Sequence, residues 1–211
     1  SGKGKKIGLI VGGVLLLLVI LAVAGFMILG GQSNLGSLKT QKVDMNNVSV
    51  SIDMPSKMKE IKTTDEAKTY GVESSEKGKY LAQIVVSLGE QTIDAETLKG
   101  IKEAMKNPDG STGKLVVPML KETLKQEVEG ELCKDASVEN PKEISGVSHE
   151  LAFEFPFTCT TDDADKLKLV GTVAVFQANG AEIAVSMVAE ENIWKKNASK
   201  WDQILKSVKK N

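Results

Sequence analysis

The sequence predicts an α+β domain, a central antiparallel sheet with helices on its faces, preceded by an N-terminal transmembrane helix. Three observations predict it. Helical periodicity comes in separate blocks rather than after every strand, which favours an antiparallel sheet over repeated βαβ units. Leu167 to Val188 reads as two strands joined by Ala178-Asn179-Gly180, an Asn-Gly hairpin turn. Ile7 to Leu29 is a run of 23 residues without charge or proline.

That run is long enough, at 1.5 Å per helical residue, to cross a hydrocarbon core of about 30 Å. A lone span must satisfy its backbone internally, so it is read as a helix. Residues 1–6 carry Lys3, Lys5 and Lys6, whereas the exit from Gly30 to Asn34 is uncharged. The positive-inside rule then leaves residues 1–6 in the cytoplasm, 7–29 in the cell membrane and the C-terminal domain outside the cytoplasm. A cleaved signal peptide is the rival reading, because Ala22-Val23-Ala24 mimics a cleavage site. Phe26 to Leu29 extends the apolar run past it, as an anchor requires. Gly8 and Gly12 fit a G-x-x-x-G helix-pairing face, a match that arises easily in a Gly-rich span. The chain begins at Ser1 rather than Met, so its flank is expected to be incomplete. Residues 30–43, rich in Gly, Ser, Asn, Gln and Lys, read as a flexible linker to a domain over 44–211.

Within the domain, Val48 to Met54 alternates apolar and polar residues and stops at Pro55, as a half-buried strand does. A strand near Lys68 to Ser74, a turn at Glu76 to Lys79 and a strand from Tyr80 to Leu88 read as a hairpin. Asp94 opens a helix with Leu98, Ile101 and Met105 on one face, closed by Asn107-Pro108-Asp109-Gly110. A second helix spans about Thr112 to Val128, with Leu115, Met119, Leu120 and Leu124 as its apolar stripe and a kink or late start at Pro118. Val147, Leu151, Phe153, Phe155 and Phe157 alternate with polar positions and begin a three-stranded meander. Trp194, Ala198, Trp201, Ile204, Leu205 and Val208 predict one closing helix from about Ile193 to Lys209.

Charge excludes one class of partner. All 27 basic residues are Lys, and 22 of them face all 28 acids after Lys42, a net of −6 for the domain. An acidic, Arg-free domain lacks both the positive field and the bidentate fork that nucleic acids demand, so no nucleic-acid partner is expected.

Candidate chemistry is sparse. Cys133 and Cys159 are the two cysteines, and outside the cytoplasm an even pair predicts a disulfide, against the alternative of two separate buried thiols. His149, the single histidine, lies in phase with Val147 and Leu151 and reads as a structural strand residue. Asp162, Asp163 and Asp165 form an acidic turn without the spacing of an EF-hand, hence a solvated turn ahead of a weak cation site. Asn47-Val48-Ser49 and Asn197-Ala198-Ser199 fit the glycosylation sequon, which carries no meaning in a bacterial protein. These residues predict no catalytic site, no metal site and no cofactor.

The opening strand ending Asp53-Met54-Pro55, the segment ELAFEFPF at 150–157 and the closing module KLVGTVAVFQANGAEIAVSMVAEENIWKKNASKWDQILKSV at 168–208 together resemble the PsbP-like (Mog1/PsbP) superfamily. The resemblance covers about residues 44 to 209. It implies an α-β-α sandwich around a central antiparallel sheet and a non-catalytic role, in proteins that are mostly exported or membrane-tethered and help assemble larger complexes. The metal sites of that family involve His; with one His here, no metal residue carries over, and nothing points to photosynthesis. The sequence therefore predicts a membrane-tethered extracytoplasmic binding or assembly module whose partner is an envelope protein. The alternative is a carrier of a small apolar ligand in a sheet–helix pocket, marked by a cavity above about 300 Å³ lined with Met and aromatic residues. An enzyme would require paired carboxylates or a His-activated nucleophile.

Overall fold

In the computed structural model of the chain, the described residues are 34–74, 80–89, 94–162, 166–178 and 180–211. Their strands are β1 (Leu38–Met45), β2 (Val48–Pro55), β3 (Lys59–Thr63), β4 (Ala67–Glu73), β5 (Tyr80–Leu88), β6 (Lys134–Val138), β7 (Lys142–Glu143), β8 (Leu151–Thr160), β9 (Lys168–Ala178), β10 (Ala181–Glu190) and β11 (Lys209–Lys210). The helices are α1 (Ala95–Lys106), α2 (Gly113–Glu131), α3 (Glu191–Lys196) and α4 (Ala198–Ser207).

The fold is α+β with antiparallel pairing throughout the described strands. The main sheet is eight-stranded, in the order β3-β4-β5-β10-β9-β8-β6, with β7 pairing β8 beyond β6. A second sheet runs β1-β2-β11. Both faces of the main sheet are buried, so its central strands are nearly continuous apolar runs. Phe153, Phe155, Phe157, Leu169, Val173 and Val175 join α1 and α2 in one core. On the other face, Ala174, Phe176, Ile183, Val185 and Met187 join β2 and the Trp201, Ile204 and Leu205 stripe of α4 in a second. Gly171 makes room for the first: a Cβ there would lie 2.4 Å from the Phe157 ring and 2.5 Å from the Met187 carbonyl oxygen.

Helix α1 forms where its local signals point. Asp94 accepts hydrogen bonds at 3.0 Å from the Glu96 and Thr97 N–H groups, satisfying two donors that a helix start leaves open. The Thr97 hydroxyl donates to the second Asp94 oxygen at 2.6 Å.

Several expectations are corrected. The linker assigned to 30–43 overlaps folded chain. Leu38–Met45 is a strand in register with β2 from Leu38↔Pro55 to Met45↔Val48, and Leu35 is fully buried. Its polar residues face outward while Val43 and Met45 fill the core. The closing helix is two helices. Asn197 sits between them, buried, with its amide donating to the Ile193 carbonyl at 2.9 Å. The same carbonyl keeps the Asn197 N–H at 3.2 Å, and the break lies in the backbone of Asn197, which leaves helical geometry at φ −115° and ψ 19°. Trp194 and Trp201, read as one stripe, instead stack across the break with ring centroids 4.9 Å apart. The α-β-α arrangement is modified because one face of the main sheet carries β1-β2-β11 together with α4.

The stripe on α2 also differs. Val116, Val117, Leu120, Leu124 and Val128 are buried, while Leu115 and Met119 are 49% and 45% exposed. The transmembrane segment 7–29, the turn at 76–79, and Asn179, Asp163 and Asp165 lie outside the described residues. No helix among the described residues is long and apolar enough to cross a membrane.

Candidate functional site

Three faces of α2 follow from its 3.6-residue period. Val116, Val117, Leu120, Leu124 and Val128 face the core. Lys114, Pro118, Lys121 and Lys125 form the next stripe and one wall of a groove. Leu115 and Met119, one turn apart, stand on the far side of that wall in solvent. The groove has a volume of about 500 Å³, and Ala136, Ser137, Val138 and Asn140 form its opposite wall. Pro108 and Asp109 also line it. Pro118 lies within the helix and supplies no N–H to the carbonyl four residues earlier, at Lys114.

Strand β6 is the terminal strand of the main sheet. The structure joins Cys133, which immediately precedes β6, to Cys159 on β8 through a disulfide, with Cα atoms 6.0 Å apart. Both cysteines are buried, and they sit one residue from the Lys134↔Thr160 pair. The cross-link therefore fixes the terminal strand to its neighbour just before a bulge between Lys134 and Ser137, where Asp135 adopts φ +54°. Within the bulge, the Ala136 N–H donates to Glu129 Oε1 of α2 at 2.9 Å, which ties one end of the groove shut. Lys121 Nζ donates to Asn140 Oδ1 at 3.1 Å from the other wall.

The other candidates have structural partners. His149 lies in the segment before β8 rather than within a strand. Its Nε2 is 2.8 Å from the Val208 carbonyl oxygen, and its ring meets Phe176 edge-on at 5.2 Å. It pins the chain end that follows α4. Asp162, the described member of the acidic turn, pairs with Lys134 at 2.6 Å. Among the described residues no group of three or more His, Cys, Asp or Glu is placed to hold a metal ion. Asn47 is exposed in the β1–β2 turn, whereas the amide of Asn197 is buried and engaged.

Sequence reasoning missed two features. One is the groove, whose walls are separated in the chain. The other is Glu182 on β10, 3% exposed, with burial pushing its carboxyl up to about 8. Its side chain occupies the space that Gly89 leaves by lacking a Cβ, which would lie within 2.0 Å of Glu182 Oε1.

Among solved structures, the cyanobacterial PsbP protein CyanoP from Synechocystis matches 88% of this chain and 97% of its own, with TM-score 0.51 and 11% identity. In fold, the chain is PsbP-like. Two more distant matches are the Ran-binding protein Mog1p from Saccharomyces cerevisiae (82% of this chain, 96% of that one, TM-score 0.47, 10% identity) and LpqN, involved in cell envelope biogenesis of Mycobacterium tuberculosis (83%, 92%, 0.46, 9%). No protein-family model and no curated protein matches the sequence. The disulfide beside the terminal strand and the exposed apolar pair on α2 sit on this PsbP-like fold.

Proposed function

We propose that the PsbP-like domain is a tethered extracytoplasmic module that binds an envelope protein through the α2–β6 face without turning over a substrate. One observation carries this reading: Leu115 and Met119, two large apolar side chains, are held in solvent on a helix whose core stripe is already filled by other residues. Apolar surface kept in water beside a groove is the ordinary signature of a contact surface. The disulfide supports the reading, since it braces the strand that forms the opposite wall.

The anchor assigned to 7–29 makes such a contact effective at modest intrinsic affinity. Confinement near one membrane face raises the local concentration of both partners without any new contact. The apolar-carrier alternative fits this groove poorly. Its walls carry Asp109, Lys114, Lys121, Glu122 and Lys125, and no Met or aromatic side chain lines it.

Photo-crosslinking in cells tests the proposal. A benzophenone side chain at position 119 should capture a protein partner, whereas the same group at position 62, on β3 at the opposite end of the sheet, should not. The adduct should weaken when Leu115 is replaced by Ser. No adduct from position 119, or equal adducts from both positions, would sink the proposal.

A further inference from the structure

We propose that the end of the domain where the chain enters from the anchor is a docking surface for acidic phospholipid headgroups, with Lys39, Lys57, Lys59, Lys196 and Lys200 as its contacts. This rests on the tether proposed above and gives the domain a fixed seat on the bilayer.

The tether is short. Leu35 is fully buried, and its carbonyl accepts the Lys57 N–H at 3.4 Å. Gly36 adopts φ +88°, where a Cβ would lie 2.3 Å from Ser56 Oγ, and its carbonyl accepts from Lys200 Nζ at 2.8 Å. The chain is thus built into the domain from Leu35 onward. Five residues, Gly30 to Asn34, separate Leu35 from Leu29, the last residue of the proposed anchor. Even fully extended, they reach no more than about 20 Å. The headgroup layer takes up roughly 5–8 Å of that reach, so the entry end stays close to the bilayer surface.

The entry end is basic. Lys39 on β1, Lys57 and Lys59 around the β2–β3 turn, and Lys200 in the first turn of α4 meet there, and Lys196 just precedes that helix. Lys39, Lys57, Lys59 and Lys196 are exposed and have no ion pair among the described residues. Lys200 donates to a neutral carbonyl. The stretches 34–39, 56–59 and 196–200 contain no acid.

Some acids close by are held by other lysines. Glu60 lies 3.8 Å from Lys68, and Glu191 takes Lys168 and Lys195 at 3.1 and 3.0 Å. Asp53, which accepts from Thr40, lies toward the same end with Glu73 and Glu190, so three acids stand against five lysines. The positive surplus is local, because the domain as a whole is acidic. An acidic surface therefore attracts this end and repels the rest, which orients the domain. Each lysine near a headgroup layer strengthens attachment, and the effect fades within a Debye length of about 8 Å. The α2–β6 face lies across the main sheet from β3, so a protein partner and the bilayer can be held at once.

The full chain in phosphatidylcholine nanodiscs, with and without phosphatidylglycerol, tests this surface. A lipid with a gadolinium-chelating headgroup broadens amide signals near the bilayer. In acidic discs at low salt, the amides of Ser56 to Lys59 should broaden at least about fivefold more than that of Asn47, at the far end of β1 and β2. The contrast should shrink in phosphatidylcholine alone, at high salt and in K57E/K59E, and it should return in K57R/K59R. Both variants should keep the parent Tm. A Gly-Ser insert after Gly31 should leave the contrast in acidic discs, because lysines rather than tether length hold the surface. Loss of the contrast with that insert would overturn the inference. Equal broadening at both ends, or a contrast indifferent to lipid charge and to K57E/K59E, would do the same and leave the anchor in place. A chain that fails to enter the discs would instead remove the anchor, and this surface with it.

Discussion

Glu182 and Gln177 face each other in register across β10 and β9, both buried, and each keeps one side-chain oxygen without a hydrogen-bond partner among the described residues. Desolvation holds the Glu182 carboxyl at about 8, above its ordinary 4.5. The folded state thus retains a proton that the unfolded chain releases. The stability this gives is complete below about pH 4.5 and is lost as pH rises through 8. Glu182→Gln removes the titration while keeping the shape. It should raise Tm at pH 9, by a free energy on the order of a few kcal/mol, with the gain vanishing near pH 4. Melting curves across that range check it, and a gain independent of pH would refute the assignment.

Cys133 and Cys159 close a loop of 26 residues. A chain-entropy account gives such a link about 3 kcal/mol. Thiol titration of the denatured, unreduced chain should find no free thiol, and Cys133→Ser should melt lower. Two free thiols would contradict the bond. The loss should also loosen β6 first, read as faster amide exchange at Val138 than at β5 or β10.

The contact between His149 and the Val208 carbonyl is a brace, so His149→Ala should cost about 1 kcal/mol of stability and leave the position-119 crosslink intact. Loss of the crosslink with unchanged stability would instead mark His149 as part of the binding surface.

How much of this was legible follows from how local each signal is. Tyr80–Leu88 and Ala95–Lys106 match expectation because an apolar run, the Asp94 cap and the Asn107-Pro108 stop act within a few residues. β1 escaped because Lys39 to Lys42 form a polar run and its apolar neighbours, Val50 and Ile52, belong to another strand. β6 escaped for the same reason, being fixed by Cys159 and Thr158 more than twenty residues away. On α2, positions 115, 119, 120 and 124 satisfy helical spacing, yet the same spacing is met by 116, 117, 120, 124 and 128. Only the sheet beneath decides between the two stripes.

The proposed membrane placement rests on Lys3, Lys5 and Lys6 before an uncharged run. A reporter active only outside the cytoplasm, fused after Asn211, should function. Activity of a cytoplasmic reporter there in its place would reverse the orientation, and the envelope partner with it.

The two stripes of α2 make the last prediction. Leu120 is 6% exposed and lies in the core shared with the Phe153–Phe157 face, whereas Leu115 and Met119 are close to half exposed. Leu120→Ala should therefore cost 2 kcal/mol or more, roughly the toll of a buried cavity. Leu115→Ser and Met119→Ser together should change stability by less than about 1 kcal/mol, since exposed positions contribute little. The double variant should nevertheless lose partner binding. That combination separates a surface kept for contact from a core residue seen at its edge. Destabilisation by the double variant comparable to Leu120→Ala would show that both residues are packed in the folded protein, and the face would lose its claim as a docking surface.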